Sequence, residues 1–576
     1  MNILGVNAFH GDAAAALVVD GRLVAAAAEE RFNRKKHCAG FPKLAIDSCL
    51  NTVGLQLSDL DHVGISRSPW ANLHRKITLS LRRAFSGNAW RSAAAVASIG
   101  GLRSRFAREW EGGLPSRTRI HAIEHHFCHA ASAFFVSPFD RAAILTLDGF
   151  GDFSSGLLGI GEAGRIRVLR RIHFPHSIGV YYTAMTQYLG FPHYGDEGKV
   201  MALASFGKPH YLREMRRLLR FDTDHLARLG LEYFTHHTRG VSMTWGDGSP
   251  EIGPLYSEEL IRLLGPAREK GTPFIQHFYD VAASMQLHLE EVVIRIVAHL
   301  ANLTHETHLC LAGGVALNSV VNGRILAETP FREIFIQPAA ADDGTAIGSA
   351  FAIQHQILRK PRSFVMNDAY WGPAFSDIEI ESAIRAAGLV ASRLDDPEGA
   401  AAKAIAEGNV VGWFQGRMEF GPRALGNRSI LADARRADMK QLLNERVKHR
   451  ETFRPFAPSL LEEDTGTYFN QSTPSPYMLL VHAARPGEIQ NIPGALHVDG
   501  TGRLQTVRRD QNERYHRLLA KLKDLTGHGI VINTSFNDSE PIVCTPADAI
   551  HCFLNTKMDT LFLGNYEVKR PAIPNP

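Results

Sequence analysis

The chain has 576 residues, 45% hydrophobic and 21% charged, a length that exceeds one core and an ordinary globular balance. Its 63 basic and 59 acidic residues give a formal net charge of +4, which provides no electrostatic footprint for nucleic-acid binding. The 6 cysteines are scattered without a CxxC pair, which excludes a zinc ribbon or a disulfide framework, and neither a signal-peptide pattern nor an apolar run of about 18 residues is present, so a cytoplasmic protein without a membrane span is expected.

The first segment, NILGVNAFHGDAAAALVVDGRLVAAAAEE, predicts strand, acidic turn, strand, Asp20-Gly21 hairpin and strand. About 140 residues later, AAILTLDGFGDFSSGLLGIGEAGRIRVLRRIHF repeats this grammar, with Asp148-Gly149 as its acidic turn. A repeated three-strand unit predicts a duplicated α/β core of the actin-like plan, with two acidic turns facing one cleft. The basic stretch between the two, about residues 70–118, reads as a helical insertion with a solvated cationic face. Within the second half, HHFCHAASAFF places His125 and His129 at i and i+4, on one helical face. Residues 276–304 form a strongly periodic helix. HLCLAGGVALNSVVNG follows as strand, Gly pair and helix, a ready anion or ribose site. IFIQPAAADDGTAIGSAFAI gives a strand, the Asp342-Asp343-Gly344 turn and a small-residue helix. Linker-like composition near 360–370 marks a domain boundary, after which a new helix and a strand-loop-strand unit begin.

Two constellations carry chemistry. His125, His129, Asp148 and Asp342 would converge on the cleft as two nitrogens and two carboxylates, a plausible iron, zinc or manganese set. His126 would then point away and serve structure. The second constellation is basic: Arg417, Arg423 and Arg428 crowd one Gly-rich loop, Lys448, Arg450, Arg454 and Arg503 follow, and Asn533, Thr534, Ser535 and Asn537 close a strand. Guanidinium groups hold phosphates bidentately, so this set reads as a cradle for a polyanion such as a nucleoside triphosphate. Surface salt bridges account better for Arg435 and Arg436.

Together these segments, with GDEGKVMALASFG, FGPRALGNRSILAD, FRPFAPS and INTSFNDSEPIV, resemble the O-carbamoyltransferases of antibiotic and nodulation-factor biosynthesis, in family order and over nearly the whole chain. The resemblance implies an N-terminal actin-like domain over 1–362, like the threonylcarbamoyl-transferases, and a C-terminal α+β YrdC-like domain over 368–576. It implies that carbamoyl phosphate and ATP give carbamoyl-AMP in the second domain, and that the carbamoyl group passes to a hydroxyl of a small-molecule acceptor in the first. Carried over by motif, His125, His129, Asp148 and Asp342 would bind Fe(2+) or another divalent transition metal. Arg423, Lys448, Arg454, Arg503, Asn533 and Ser535 would bind carbamoyl phosphate and ATP with Mg(2+). Gly313, Gly314 and Asn318 would approach the adenylate, with Lys199 and Lys36 as further cations near the cleft. His10, Asp12 and Asp148 are the catalytic candidates. The chain reads His10-Gly11-Asp12 where some members read His-Asp, so the base is either His10 or Asp12.

The competing readings are a tRNA-modifying or hydrogenase-maturing relative and a non-catalytic nucleotide-binding module. The near-neutral charge argues against the tRNA enzyme, the missing CxxC pairs against the hydrogenase-maturing relative, and the Arg-rich second domain against the binding module. The acceptor, an aminoglycoside, a macrolide or a sugar chain, stays open; its pocket is expected near residues 37–42, the 70–118 insertion and Tyr477. A homodimer is the default expectation.

Overall fold

The Asp20-Gly21 and Ala163-Gly164 pairs both adopt positive φ at each central residue, the geometry that two-residue hairpins require. They mark equivalent points of two five-stranded sheets in the computed structural model, which describes residues 1–73, 75, 101–244 and 250–570. The first sheet contains β1 (Asn2–Asn7), β2 (Ala14–Val19), β3 (Arg22–Ala28), β4 (His62–Ile65) and β5 (Arg119–Ala122), ordered β3-β2-β1-β4-β5. The second contains β6 (Arg141–Gly151), β7 (Ser154–Glu162), β8 (Arg165–His173), β9 (His308–Ala312) and β10 (Glu333–Ile336), ordered β8-β7-β6-β9-β10. In each sheet three antiparallel strands are followed by two that run parallel to the first. This is the duplicated actin-like plan that the repeat predicts.

The Asp148-Gly149 turn is a correction. The chain continues as strand through Gly151, with a bulge in pairing between Leu147 and Gly151, and turns instead at Asp152-Phe153, both at positive φ. The bulge re-aims Asp148 out of the regular ladder, as bulges beside functional sites do.

Small residues let the two sheets and their helices approach. Helix Thr345–Phe351 packs on helix His125–Phe134 and on β1. A Cβ at Gly348 would lie 1.8 Å from the Cys128 carbonyl, and one at Gly5 would lie 1.9 Å from the Ala346 carbonyl. The long helix Gln276–Thr304 buries a continuous apolar face and packs on the helices on either side.

The chain divides into two compact units, one of Met1–Val200 with Gly207–Met366, the other of Met201–Phe206 with Asn367–Pro576. The second is built on an eight-stranded mixed sheet whose centre is Val411–Phe414, Arg428–Asp433, Ile530–Ser535 and Ala457–Leu461. Helices Pro397–Ala406 and Glu513–Thr526 bury Ile405, Tyr515 and Leu518 against Trp413 and Phe562 on one face. Asp377–Ala386 and Pro546–Asn555 contribute Ile380, Ile550 and Phe553 to a core containing Phe414, Ile430 and Ile532.

Most of the predicted insertion, residues 74 and 76–100, lies outside the described residues; its C-terminal part is the helix Leu102–Glu109. Tyr477 belongs to the second unit, whereas residues 37–42 belong to the first. No helix among the described residues is long and apolar enough to cross a membrane.

Candidate active site

Helix His125–Phe134 begins where Glu124 accepts from the amides of His126 and Phe127. Asp152 accepts from the His125 amide at 3.1 Å. These acceptors fix the first turn, and the 3.6-residue period then stacks His125 over His129. Gly151 makes room: a Cβ there would lie 2.0 Å from the His125 ring. Both histidines are fully buried and direct Nε2 to one point. Asp148 reaches it from the bulge of β6, held by the amides of Gly149 at 2.7 Å and Gly314 at 3.3 Å. Asp342 reaches it from the turn that opens helix Thr345–Phe351.

The donor atoms are closely spaced. His129 Nε2 lies 3.1 Å from His125 Nε2 and 3.1 Å from Asp148 Oδ2, and His125 Nε2 is 3.4 Å from both Asp148 Oδ2 and Asp342 Oδ1. His129 Nε2 is 3.5 Å from Asp342 Oδ1. Donors placed tetrahedrally at about 2.0–2.1 Å from one ion are about 3.3–3.4 Å apart. Two imidazoles facing each other at this distance cannot both hold a proton on Nε2 without a clash, whereas both can present a lone pair to a cation. The set therefore fits a divalent transition metal in spacing, charge and donor type. Burial works against charge on every member, but the pairing outweighs it. The two carboxylates hold His125 well above the usual imidazole range, and the two histidines hold Asp148 well below the carboxylate range. His126 faces away, with Nδ1 2.8 Å from the Thr146 hydroxyl. Burial and the neighbouring histidines push its pKa down.

His10 stands beside this centre, its ring 5.7 Å from that of His125. Its Nε2 is buried without a hydrogen-bond partner, and burial lowers its pKa to about 4, so the imidazole is neutral. Asp12, two residues on, is engaged differently. His37 Nδ1 donates to Asp12 Oδ1 at 2.6 Å, and the Tyr194 hydroxyl donates to Oδ2 at 3.3 Å. Neither His37 nor Tyr194 stands out in the sequence. The one signal is His37 in the basic RKKH run, and it carries no periodicity.

The remaining first-unit candidates are placed as follows. Gly313, at φ +92°, passes so close to β6 that a Cβ would lie 2.2 Å from the Leu147 carbonyl. Gly314 supports Asp148. Asn318 caps helix Ser319–Glu328 and exchanges two hydrogen bonds with Gln286. Lys199 pairs with Asp196 at 2.7 Å.

In the second unit the basic residues separate into two classes. Arg428 is fully buried, lies 3.7 Å over the Phe414 ring and donates to the carbonyls of Gln415 and Asn427. Arg417 donates to the carbonyls of Gly372 and Trp371. Both hold the Gly-rich loop. Arg423, Arg450, Arg454 and Arg503 lie close enough to repel one another, with Arg450 also donating to Asn444 and to the Pro455 carbonyl and Arg454 paired with Glu451 at 4.0 Å. Burial, then the neighbouring guanidinium groups, lowers Arg423 to about 10 and Arg450 to about 9, and holds Arg503 well below the usual guanidinium range. The Nε atoms of Arg423 and Arg503 are buried without partners. Arg423 and Arg503 are thus desolvated cations with a spare donor each, groups that a bound anion would complete. Arg450 belongs to the basic set read as a polyanion cradle in the sequence, although the family resemblance does not carry a ligand role to it.

Lys448 is buried and bonds the Ser535 carbonyl at 2.5 Å, with the Asn537 carbonyl and side-chain oxygen at 2.8 Å each. Ser535 in turn donates to Asn537 at 2.7 Å. Asn533 is buried between the Ser459 hydroxyl and Gln505. Arg435 and Arg436 are surface ion-pair partners of Asp433 and Asp438.

Comparison with known proteins agrees with this arrangement. The carbamoyltransferase N-terminus family model matches residues 2–351, and the carbamoyltransferase C-terminus model matches 402–570. The nodulation protein NolNO of Sinorhizobium fredii is 39% identical over 98% of this chain and 80% of its own. NolO of Bradyrhizobium diazoefficiens is 41% identical over 78% of this chain and 79% of its own. Similarity to solved structures is shallow: HypF of T. kodakarensis shares 16% identity at a TM-score of 0.30, over 61% of this chain and 47% of its own. Family matches in both compact units, and relatives near 40% identity over most of the length, place this chain in the carbamoyltransferase family, as an enzyme that transfers a carbamoyl group.

Proposed function

We propose that the protein is an ATP-dependent O-carbamoyltransferase with two chemically separate sites. In the second unit, read as the YrdC-like half, water takes the phosphoryl group of carbamoyl phosphate, releasing phosphate and carbamate, and the carbamate oxygen then attacks the α-phosphorus of ATP to give carbamoyl-AMP as pyrophosphate leaves. In the first unit a hydroxyl of a small-molecule or sugar acceptor attacks the carbamoyl carbon, and AMP leaves. The observation that carries the reading is the pair of unlike constellations: a His/Asp centre fit for a divalent metal in one unit, and a cluster of desolvated arginines in the other.

Each constellation suits its step. The polyphosphate of ATP and the phosphate of carbamoyl phosphate are anions of the kind that the cluster of Arg423, Arg450, Arg454 and Arg503 suits, and guanidinium pairs bind such groups in two-point contacts. Lys448 fixes the Ser535–Asn537 strand end beside them and acts by placing Ser535. In the first unit, His125, His129, Asp148 and Asp342 hold the divalent metal, iron or another, which when bound supplies Lewis-acid polarisation of the carbamoyl adenylate. The acceptor hydroxyl must lose its proton as the carbon–oxygen bond forms. Asp12, a carboxylate held at both oxygens, accepts that proton, an effect typically worth about 10²–10⁴-fold. His10 keeps a neutral nitrogen beside the same centre. The glycines at 313 and 314 let the backbone pass close to β6 where the adenylate is read to lie.

The reading is tested by following pyrophosphate release and carbamoylated product in parallel. It predicts that wild-type protein forms pyrophosphate only when ATP and carbamoyl phosphate are both present. Product formation without nucleotide turnover would refute it.

A further inference from the structure

Three loops that are far apart in sequence meet at Asp12. Its own backbone is left-handed, at φ 57°, and is held by Asn7, whose amide donates to the carbonyls of Gly11 at 3.1 Å and Asp12 at 2.9 Å. Asn7 is in turn fixed by the Ser66 hydroxyl at 2.9 Å. The second loop delivers His37, also left-handed at φ 49°, whose amide donates to Glu30 at 2.8 Å. The third brings Tyr194 and Gly195. Gly195 sits at φ +90°, and a Cβ there would lie 2.5 Å from His37 Nε2. Left-handed φ is uncommon for residues other than glycine, so the conformation at both ends of the Asp12–His37 contact is enforced by its surroundings. The result is a carboxylate with one oxygen bonded to an imidazole and the other to a phenol.

We infer that His37 is a positioning residue for the transfer step, fixing Asp12 through its Nδ1–H while Tyr194 fixes the other carboxylate oxygen, so that Asp12 meets the acceptor hydroxyl in one orientation. The inference rests on the reading of the first unit as the site of transfer. No group is transferred to His37: the proton leaves the acceptor hydroxyl for Asp12 as the hydroxyl oxygen bonds the carbamoyl carbon and the bond from that carbon to AMP breaks. The role requires a donor at the Nδ1 position; Nε2 lies against Gly195.

That requirement gives the test. An asparagine amide places its NH₂ where His37 Nδ1 lies, and a glutamine amide places it where Nε2 lies. His37→Asn, His37→Gln, His37→Leu, Tyr194→Phe and Asp12→Asn are each assayed for pyrophosphate release and for carbamate formed on tobramycin, erythromycin and triacetylchitotriose as probe acceptors. Circular dichroism and thermal unfolding report on the fold. His37→Leu and His37→Gln are expected to lose roughly 10²-fold in kcat of transfer with KM for the acceptor little changed, and His37→Asn to keep transfer within about tenfold of wild type. Tyr194→Phe, which removes one hydroxyl, is expected to lower kcat about three- to tenfold. Pyrophosphate release stays at the wild-type rate in all of them. Equal loss in His37→Asn and His37→Leu, with the fold intact, overturns positioning through Nδ1. Full transfer in His37→Leu while Asp12→Asn is inactive overturns the role of His37 and leaves the site reading standing. Full transfer in Asp12→Asn overturns both.

Discussion

At His125 and His129 the deciding quantity is the spacing of donor atoms. Four atoms from three elements lie at separations that suit one ion, in a pocket where burial alone would discharge the side chains. Purified protein is therefore expected to carry close to one equivalent of a divalent transition metal. Elemental analysis of His125→Ala and Asp342→Ala should show occupancy reduced by more than about tenfold, since even outer-shell changes cost that much. Unchanged metal content in both variants would remove the centre from the account. In the second unit, the four arginines predict that Arg423→Ala and Arg454→Ala abolish pyrophosphate formation even without an acceptor. Arg454→Lys should recover little, because a point charge does not reproduce a two-point contact. The His37–Asp12 pair has a signature in pH. Burial opposes the imidazolium, but Asp12 and Glu30 raise its pKa from 6.5 to about 9. A raised pKa means that the pair's contribution to stability is complete below 6.5 and is lost as pH rises through 9. The difference in melting temperature between wild type and His37→Asn should thus be largest near pH 6 and shrink by pH 9.5; a difference that does not vary with pH contradicts the ion pair. Which of these residues can be read in the sequence follows from distance along the chain. The two histidines share one helical period, so their shared face is visible. Asp12, His37 and Tyr194 come from three loops, and no local pattern links them. The arginines are visible as a group, yet only the fold separates Arg417 and Arg428, capped by carbonyls, from Arg423 and Arg503, which are not.

Among the elements, the repeated strand grammar specified two sheets of the same order because each hairpin carries its own turn chemistry. Asp20-Gly21 and Ala163-Gly164 take the positive φ values that such turns demand. The Asp148-Gly149 pair has the same composition and no turn. Composition alone does not distinguish a hairpin from a bulge, and the turn falls at Asp152-Phe153 because both of those residues take positive φ. The helix Thr345–Phe351 shows a second kind of legibility. The sequence shows it only as a small-residue helix, and the structure shows what those residues admit: Gly348 against the backbone of the helix that carries His125 and His129, Gly5 against Ala346. Since the obstruction at Gly348 is backbone, Gly348→Ala cannot be absorbed by a rotamer change. It should destabilise the fold by about 1–3 kcal/mol or more, read as a lowered melting temperature together with weakened metal retention, because the displaced helix carries His125 and His129. A melting temperature equal to wild type would show that this contact is not close.

On the scale of the whole molecule, the His125/His129/Asp148/Asp342 set lies within the first unit and the arginine cluster within the second. The first unit has no counterpart of the arginine cluster among its described residues, and the second has no His/carboxylate set of metal spacing among its described residues. The proposed two-site reading requires two separable steps. The most direct measurement is pyrophosphate release and carbamoylated product, followed separately in Asp148→Ala and in Arg423→Ala, with synthetic carbamoyl-AMP added to the second. The account predicts that Asp148→Ala releases pyrophosphate at close to the wild-type rate and forms no product. It predicts that Arg423→Ala releases none, yet forms product once carbamoyl-AMP is supplied. If both variants, correctly folded, lost the two activities in equal proportion and carbamoyl-AMP restored neither, the two-site account would be contradicted.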